Sequence, residues 1–238
     1  GAIFVMAISA YYMLRRQDLQ FARSSFRLAA VFGMIATLMT IQMGDESGYL
    51  VTKDQPTKIA AMEAIWETHE APAPLTLFAI PDEAAQTNHA QIDVPWLFGL
   101  MGTRSLSTEI PGIKELTAQA EQRIVNGQKA IGVLEQLRKD PANEQLREQF
   151  LAVRDDLGFG LLLKRYTNDV NAATPEMIKQ AAADTIPSVT PMFWSFRIMV
   201  GSGLAMALVF VLGLFYSFRN EIAEKAWYLR LAVLALPL

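Results

Sequence analysis

No cysteine occurs among the 238 residues of the chain. That excludes disulfides, thiolate metal sites, iron–sulfur clusters and cysteine nucleophiles. It leaves the redox compartment open, because an oxidising space permits disulfides without requiring them. Histidine is nearly as scarce, with 2 residues, His69 and His89. Both lie in proline-rich sequence with no second histidine three or four positions away, so exposed loop histidines are expected rather than a metal pair. Charged residues make up only 19%, where soluble domains carry about 25%. The net charge of −3, without a basic stripe, argues against a nucleic-acid partner. There is no phosphate-cradling glycine loop and no nucleophile elbow. "GDESGY", 44–49, lacks the further oxygen ligands of a calcium loop and reads as a turn capping the apolar run before it.

What the chain has in quantity is long apolar sequence. Hydrophobic residues make up 52%, and the mean hydropathy is +0.21. A helix crossing a bilayer needs roughly 20 mostly apolar residues. Four segments meet that wholly or in part: 1–13, 26–43, 192–218 and the run that starts at 227 and continues to 238. Gly1 is not an initiator, and the first and last runs read as parts of helices in a longer polytopic chain. The first run lacks the basic start and small-residue cleavage site of a signal peptide.

Basic residues set the expected orientation. Arg15, Arg16, Arg23 and Arg27 fall in or beside the connection 14–25, and Arg219 and Lys225 in 219–226, with Arg230 just beyond. Positively charged short loops face the cytoplasm. Parity then places 44–191 on the opposite side, the periplasm or its equivalent. Within that segment, 44–111 is broken by Pro56, Pro72, Pro74, Pro81, Pro95 and Pro111 and is expected to be flexible. It offers a helix only at 57–68, a stiff Pro72–Pro74 connector and a short extended piece at "LTLFAI". The half 112–191 is expected to be helical. Ile113, Leu116, Ala120, Ile124, Ile131 and Leu134 keep helical spacing up to Asp140–Pro141. A second helix follows over "ANEQLREQFLAVRDDLGFGLLLKRY", where Gly158 and Gly160 either interrupt it or allow close packing. Thr174–Pro175 caps a third. The expected fold is therefore all-α: a polytopic transmembrane helix bundle with a large, mostly helical periplasmic loop.

Two constellations could carry chemistry. Phe196, Met199 and Gly203 share one face of the third span, at spacings of three and four. Gly203 would let a flat ring approach, and a thioether can ligate haem iron; packing or lipid contact is the commoner role of such a methionine. Arg197 lies about 200° round the helix from Met199. It either snorkels to the surface or reaches a ring edge or propionate. Lys58 and Glu63, beside Met62 and Trp66, are about 140° apart on a helix. They suit a solvated amphipathic helix. They also suit quinol chemistry, in which a carboxylate takes a proton and an ammonium hydrogen-bonds a quinone oxygen.

"GDESGY", "QPTKIAAMEAIWET", "DLGFGLLLKRYT" and "FRIMV" occur in this order, at separations that resemble subunit I of the cytochrome bd ubiquinol oxidases. The resemblance covers essentially the whole chain. It implies that 44–191 is a quinol-oxidising loop with Lys58 and Glu63 as its quinol-site residues. Met199 would be an axial ligand of a low-spin haem b, and Arg197 a neighbour of that haem. It further implies a high-spin haem b and a haem d held elsewhere, a second large oxidase subunit, small single-span subunits, ubiquinol or menaquinol, and contact with lipid. The alternative is a membrane-anchored sensor or interaction module with a ligand-binding periplasmic helical domain; a transporter fragment is a third reading.

Overall fold

The computed structural model describes residues 1–237. Its elements in chain order are α1 (Ala2–Leu14), α2 (Leu19–Asp54), α3 (Pro56–Glu63), β1 (Leu75–Asp82), β2 (Thr87–Val94), α4 (Ile113–Lys139), α5 (Glu144–Val153), α6 (Leu157–Leu161), α7 (Pro175–Ala183), α8 (Val189–Phe218) and α9 (Ala226–Leu234). A π-turn at Gly99–Thr103 and several 3-10 turns connect them. The architecture is mostly helical, as expected, with one antiparallel hairpin added. Two helices, α2 and α8, are long and apolar enough to cross a membrane.

The chain divides into two compact units: residues 1–48 together with those from Ser195 onward, and Tyr49–Trp194. The first is built from α1, α9 and most of α2 and α8. Its core gathers Met6, Met13, Phe26, Phe210, Ile222 and Tyr228. Gly33 sits where a Cβ would overlap the Phe210 ring, so the glycine lets α2 approach α8 closely. The Tyr228 hydroxyl donates to the Val209 carbonyl at 2.6 Å, which satisfies the one polar atom that this buried ring carries. Arg27 Nη2 donates to the Ser217 carbonyl at 2.6 Å, placing a cation on the last turn of α8, where carbonyls lack helical partners.

The second unit has two cores. One surrounds α3, with Ile59, Ile65, Trp66, Phe98, Leu116 and Phe193. The other lies between α4 and α7, with Ala120, Ile124, Leu163, Val170 and Ala182. A Cβ on Gly160 would overlap the backbone of Gly127, so α4 and α6 meet backbone to backbone. Gly158 faces open space. Of the two roles open to these glycines, close packing therefore belongs to Gly160.

Several boundaries differ from expectation. "GDESGY" is not a turn; it lies inside α2, which runs on to Asp54. Single glycines lower helix stability by about 1 kcal/mol each, a cost that a long cooperative helix absorbs. The helix expected over 57–68 stops at Glu63, because Ala64 takes a left-handed conformation (φ 51°). The Ala64 and Ile65 N–H groups then bond back to the Ala61 and Ala60 carbonyls, a Schellman closure made without glycine. The single helix expected over 142–166 is instead α5, a 3-10 turn, α6 and a second 3-10 turn. Glu144–Val153 keeps the Asn143 side-chain cap, while Thr174 caps α7 as expected. The extended piece "LTLFAI" is part of β1, and its partner β2 is an addition to the expected elements. β2 is exposed along nearly its whole length, so it shows no alternation of apolar and polar residues.

Candidate functional site

The Lys58/Glu63 region is built by α3 and the segment that follows it. Pro56 occupies the first turn of α3, where a missing N–H costs nothing. After the left-handed Ala64, the chain turns onto the start of α4. The Ile65 and Trp66 carbonyls accept from the Ile113 and Lys114 N–H groups at 2.8 and 3.1 Å, satisfying two of that helix's unpaired donors. His69 and Ile110 exchange backbone hydrogen bonds at 3.0 and 3.2 Å. Gly112 lies so close to Glu67 that a Cβ would overlap its backbone. The hairpin is tied to the same segment. Asn88 accepts from Trp66 Nε1 at 2.8 Å and donates to the Ala64 carbonyl at 2.9 Å.

In this frame Glu63 is buried, at 3% exposure, and Lys58 is exposed. The two therefore occupy different environments, in line with their angular separation. Glu67 lies beyond the helix end, so it does not share a helix face with Glu63. Glu67 pairs with Lys114 at 2.6 Å, which lowers its pKa.

A cleft of about 200 Å³ opens beside α3, walled by Tyr49, Lys53, Ile59, Gly102, Glu109 and Ile110. It is smaller than the roughly 300–1,000 Å³ of drug-sized ligand pockets, so it suits a ring rather than a ring with a long tail. The Tyr49 ring has Lys53 Nζ 4.2 Å and Arg104 Cζ 4.4 Å from its centroid. Neither Tyr49 nor Arg104 stood out in the sequence. Tyr49 was hidden in the supposed turn 44–49, and Arg104 in unpatterned loop. His69 is half-buried in a backbone bridge to Ile110, where an exposed loop position was expected. His89 lies on β2 with Nε2 3.5 Å from Asp82, and no cluster of three potential metal ligands occurs among the described residues.

In the other unit, Met199 is 62% exposed on α8, between exposed Ile198 and Val200. Nothing lies within 4 Å of where a Gly203 Cβ would stand. A thioether on an uncovered apolar face beside an open glycine fits one side of a flat macrocycle. A thioether sulfur is a donor type that haem iron accepts. Arg197 is half-buried, with Cζ 5.8 Å from the Phe196 ring centroid.

Comparison with known proteins matches residues 1–238 to the family described as cytochrome bd terminal oxidase subunit I. The chain is 39% identical over 238 residues to Cytochrome bd-II ubiquinol oxidase subunit 1 of Escherichia coli, covering 100% of this chain and 46% of that protein. It is 27% identical to Cytochrome bd ubiquinol oxidase subunit 1 of Bacillus subtilis, covering 98% of this chain and 38% of the relative. A solved bd oxidase from Geobacillus thermodenitrificans matches with 18% identity and a TM-score of 0.43, over 92% of this chain and 54% of that one. The chain thus spans less than half the length of the two curated relatives.

Proposed function

The chain belongs to the cytochrome bd terminal oxidase subunit I family, and from that premise we propose that it is the part of a respiratory quinol:dioxygen oxidoreductase that oxidises quinol and holds one side of a low-spin haem b. The observation that carries this reading is the exposed Met199 thioether on an apolar face of α8, with open space at Gly203.

Oxidising a quinol removes two electrons and two protons. Glu63, withdrawn from water at the end of α3, is the proton acceptor for a quinol hydroxyl. Lys58 offers ammonium hydrogens to a quinone oxygen. Trp66 and Met62 belong to the same short stretch and give it apolar character. Haem b, when bound, supplies a one-electron acceptor at an iron that Met199 ligates, and a thioether ligand raises its reduction potential. Arg197 serves the edge of that ring. Dioxygen reduction belongs to a high-spin haem b and a haem d held outside this chain. A second large subunit, small single-span subunits and lipid would cover the apolar faces of α2 and α8, with ubiquinol or menaquinol as donor. In this reading the oxidase sits in the bacterial inner membrane, 44–191 is periplasmic, and protons released there contribute to the proton motive force.

The test uses the complete oxidase complex. Glu63→Ala and Lys58→Ala are expected to lower quinol turnover or raise the quinol KM while leaving the haem spectrum intact. Met199→Leu is expected to abolish the low-spin haem b absorbance. Unchanged turnover and quinol affinity in both loop variants would remove Lys58 and Glu63 from the mechanism. An unchanged spectrum would remove Met199.

A further inference from the structure

A groove of about 700 Å³ lies in the apolar unit where α2 begins, bordered by Arg23, Ser24, Arg27, Leu28, Val31 and Asn220. Arg23 and Arg27 are one helical turn apart on the same face. Arg27 is anchored: besides the Ser217 carbonyl, its Nη2 reaches Asn220 Oδ1 at 3.1 Å. The Arg23 side chain is exposed. Four arginines (Arg15, Arg16, Arg23 and Arg27) flank one carboxylate in the sequence, that of Asp18, which borders the adjoining depression with Ser24. Leu28 and Val31, both exposed, carry the wall away from the charged end into the apolar stretch of α2.

We propose that this groove seats the phosphate of an anionic membrane phospholipid, with an acyl chain lying along Leu28 and Val31. Guanidinium groups match phosphate oxygens in paired hydrogen bonds. A basic pocket between membrane helices, at the end that positively charged loops assign to the cytoplasm, is where anionic headgroups bind. Free phosphate satisfies the arginines but leaves the apolar wall wet, so the lipid is the better match. The inference rests on α2 and α8 being membrane spans.

The experiment places a photo-cross-linking phenylalanine analogue at Phe21, an exposed near-isosteric position next to the groove. The complete oxidase complex carrying it is reconstituted in vesicles of equal phosphatidylcholine and phosphatidylglycerol, and adducts are identified by mass. Phosphatidylglycerol adducts are expected to exceed phosphatidylcholine adducts, and Arg23→Gln to reduce that preference roughly fivefold, as losing one surface cation implies. Arg23→Lys should retain part of it. Equal adducts of both lipids, no effect of Arg23→Gln, or adducts only to protein would each overturn the proposal. Loss of the phosphatidylglycerol adduct to excess inorganic phosphate at constant ionic strength would overturn it in favour of a free anion. Quinol turnover of the same preparation is measured separately; its absence would count against the proposed function and leave the lipid result standing.

Discussion

Along α2, the side chains of Leu28, Phe32, Ile35, Leu38 and Met39 are exposed, whereas along α4 the exposed positions include Lys114, Gln119, Gln122, Arg123 and Lys129. Both helices also bury a stripe, Phe26 and Ala30 in one and Leu116, Ala120 and Ile124 in the other. What separates the units is therefore the outer surface and not the core. A water-facing helix reads as amphipathic because its outside is polar. A helix facing lipid or another subunit is apolar all round, so hydrophobicity no longer reveals its packed face. In the apolar unit the side-chain bonds that Arg27 and Tyr228 make to α8 sit on backbone carbonyls. In the polar unit, side chains bond one another across elements, as with Trp66–Asn88, Thr76–Asp93, Arg123–Asp156 and Arg165–Asp184.

If close backbone contact, rather than these polar pairs, sets the geometry of the water-facing unit, its most damaging single change is at the α4–α6 crossing. Gly160→Val puts two methyl groups where the Gly127 backbone lies, and backbone cannot rotate aside as a side chain does. Overpacking of this kind costs about 3 kcal/mol or more. Thermal unfolding and limited proteolysis of the complete complex should show early loss of 113–183. For Gly33→Ala in the apolar unit the nearest atoms are those of the Phe210 ring, a side chain that can shift, so the change should cost less. Equal effects at the two sites would erase the distinction.

The same contrast explains what could be read beforehand. Helix α4 was legible to its last residue, because Ile113 to Leu134 keep period and Asp140–Pro141 stops it. The start of α7 was legible from Thr174–Pro175. β2 was not, because a strand wet on both sides has no pattern and "TNHAQIDV" is poor in strand-forming types. The end of α3 was not, because Ala64 is a strong helix former that tertiary contacts force into a left-handed turn. Among the described residues no glycine has positive φ, while Arg16, Ala64 and Asn220 do so at helix ends. Reading glycine as punctuation therefore failed here; Gly33, Gly127 and Gly160 serve packing. At the candidate site, the placing of Lys58 and Glu63 on one short helix was legible, but the burial of Glu63 beside an exposed Lys58 was not, since it depends on where α3 stops. Tyr49 and Arg104 came together only through the fold.

A smaller effect is expected where polar chemistry holds an apolar element. Helix α8 has an acid at its start and a base at its end, in the sense that its dipole favours. Arg27 holds the last turn. At the first, Glu83 Oε1 accepts from the Thr190 N–H at 2.9 Å and the Ser188 hydroxyl at 3.1 Å. The backbone bond from Thr190 is the main cause that lowers the Glu83 pKa below its ordinary 4.5. A lowered folded-state pKa means that the carboxylate's contribution is complete above the ordinary value and fades as pH falls through the lowered one. Glu83→Gln keeps the shape and loses the charge. Because Glu83 is exposed and screened, about 0.5 kcal/mol is expected near neutral pH. Faster hydrogen exchange at the first-turn amides of α8 should reveal it, and the difference from wild type should vanish in acid. A difference that persists in acid would mean that the charge is not what caps the helix.

The smallest expected effect tests why α3 ends without glycine. A left-handed alanine costs about 1 kcal/mol relative to glycine. Ala64 is also buried, at 2% exposure, among Ile65, Trp66 and Ile110, and removing a buried methyl loses about 0.8 kcal/mol. The two terms nearly cancel, so Ala64→Gly should shift the unfolding midpoint little in either direction. Ala64→Val keeps the apolar contact but sets a β-branched side chain at positive φ, and should be the more destabilising of the pair. If Ala64→Gly instead stabilised strongly, the methyl would contribute nothing to packing, and the closure of α3 over Glu63 would be held by its backbone hydrogen bonds and the Asn88 side chain.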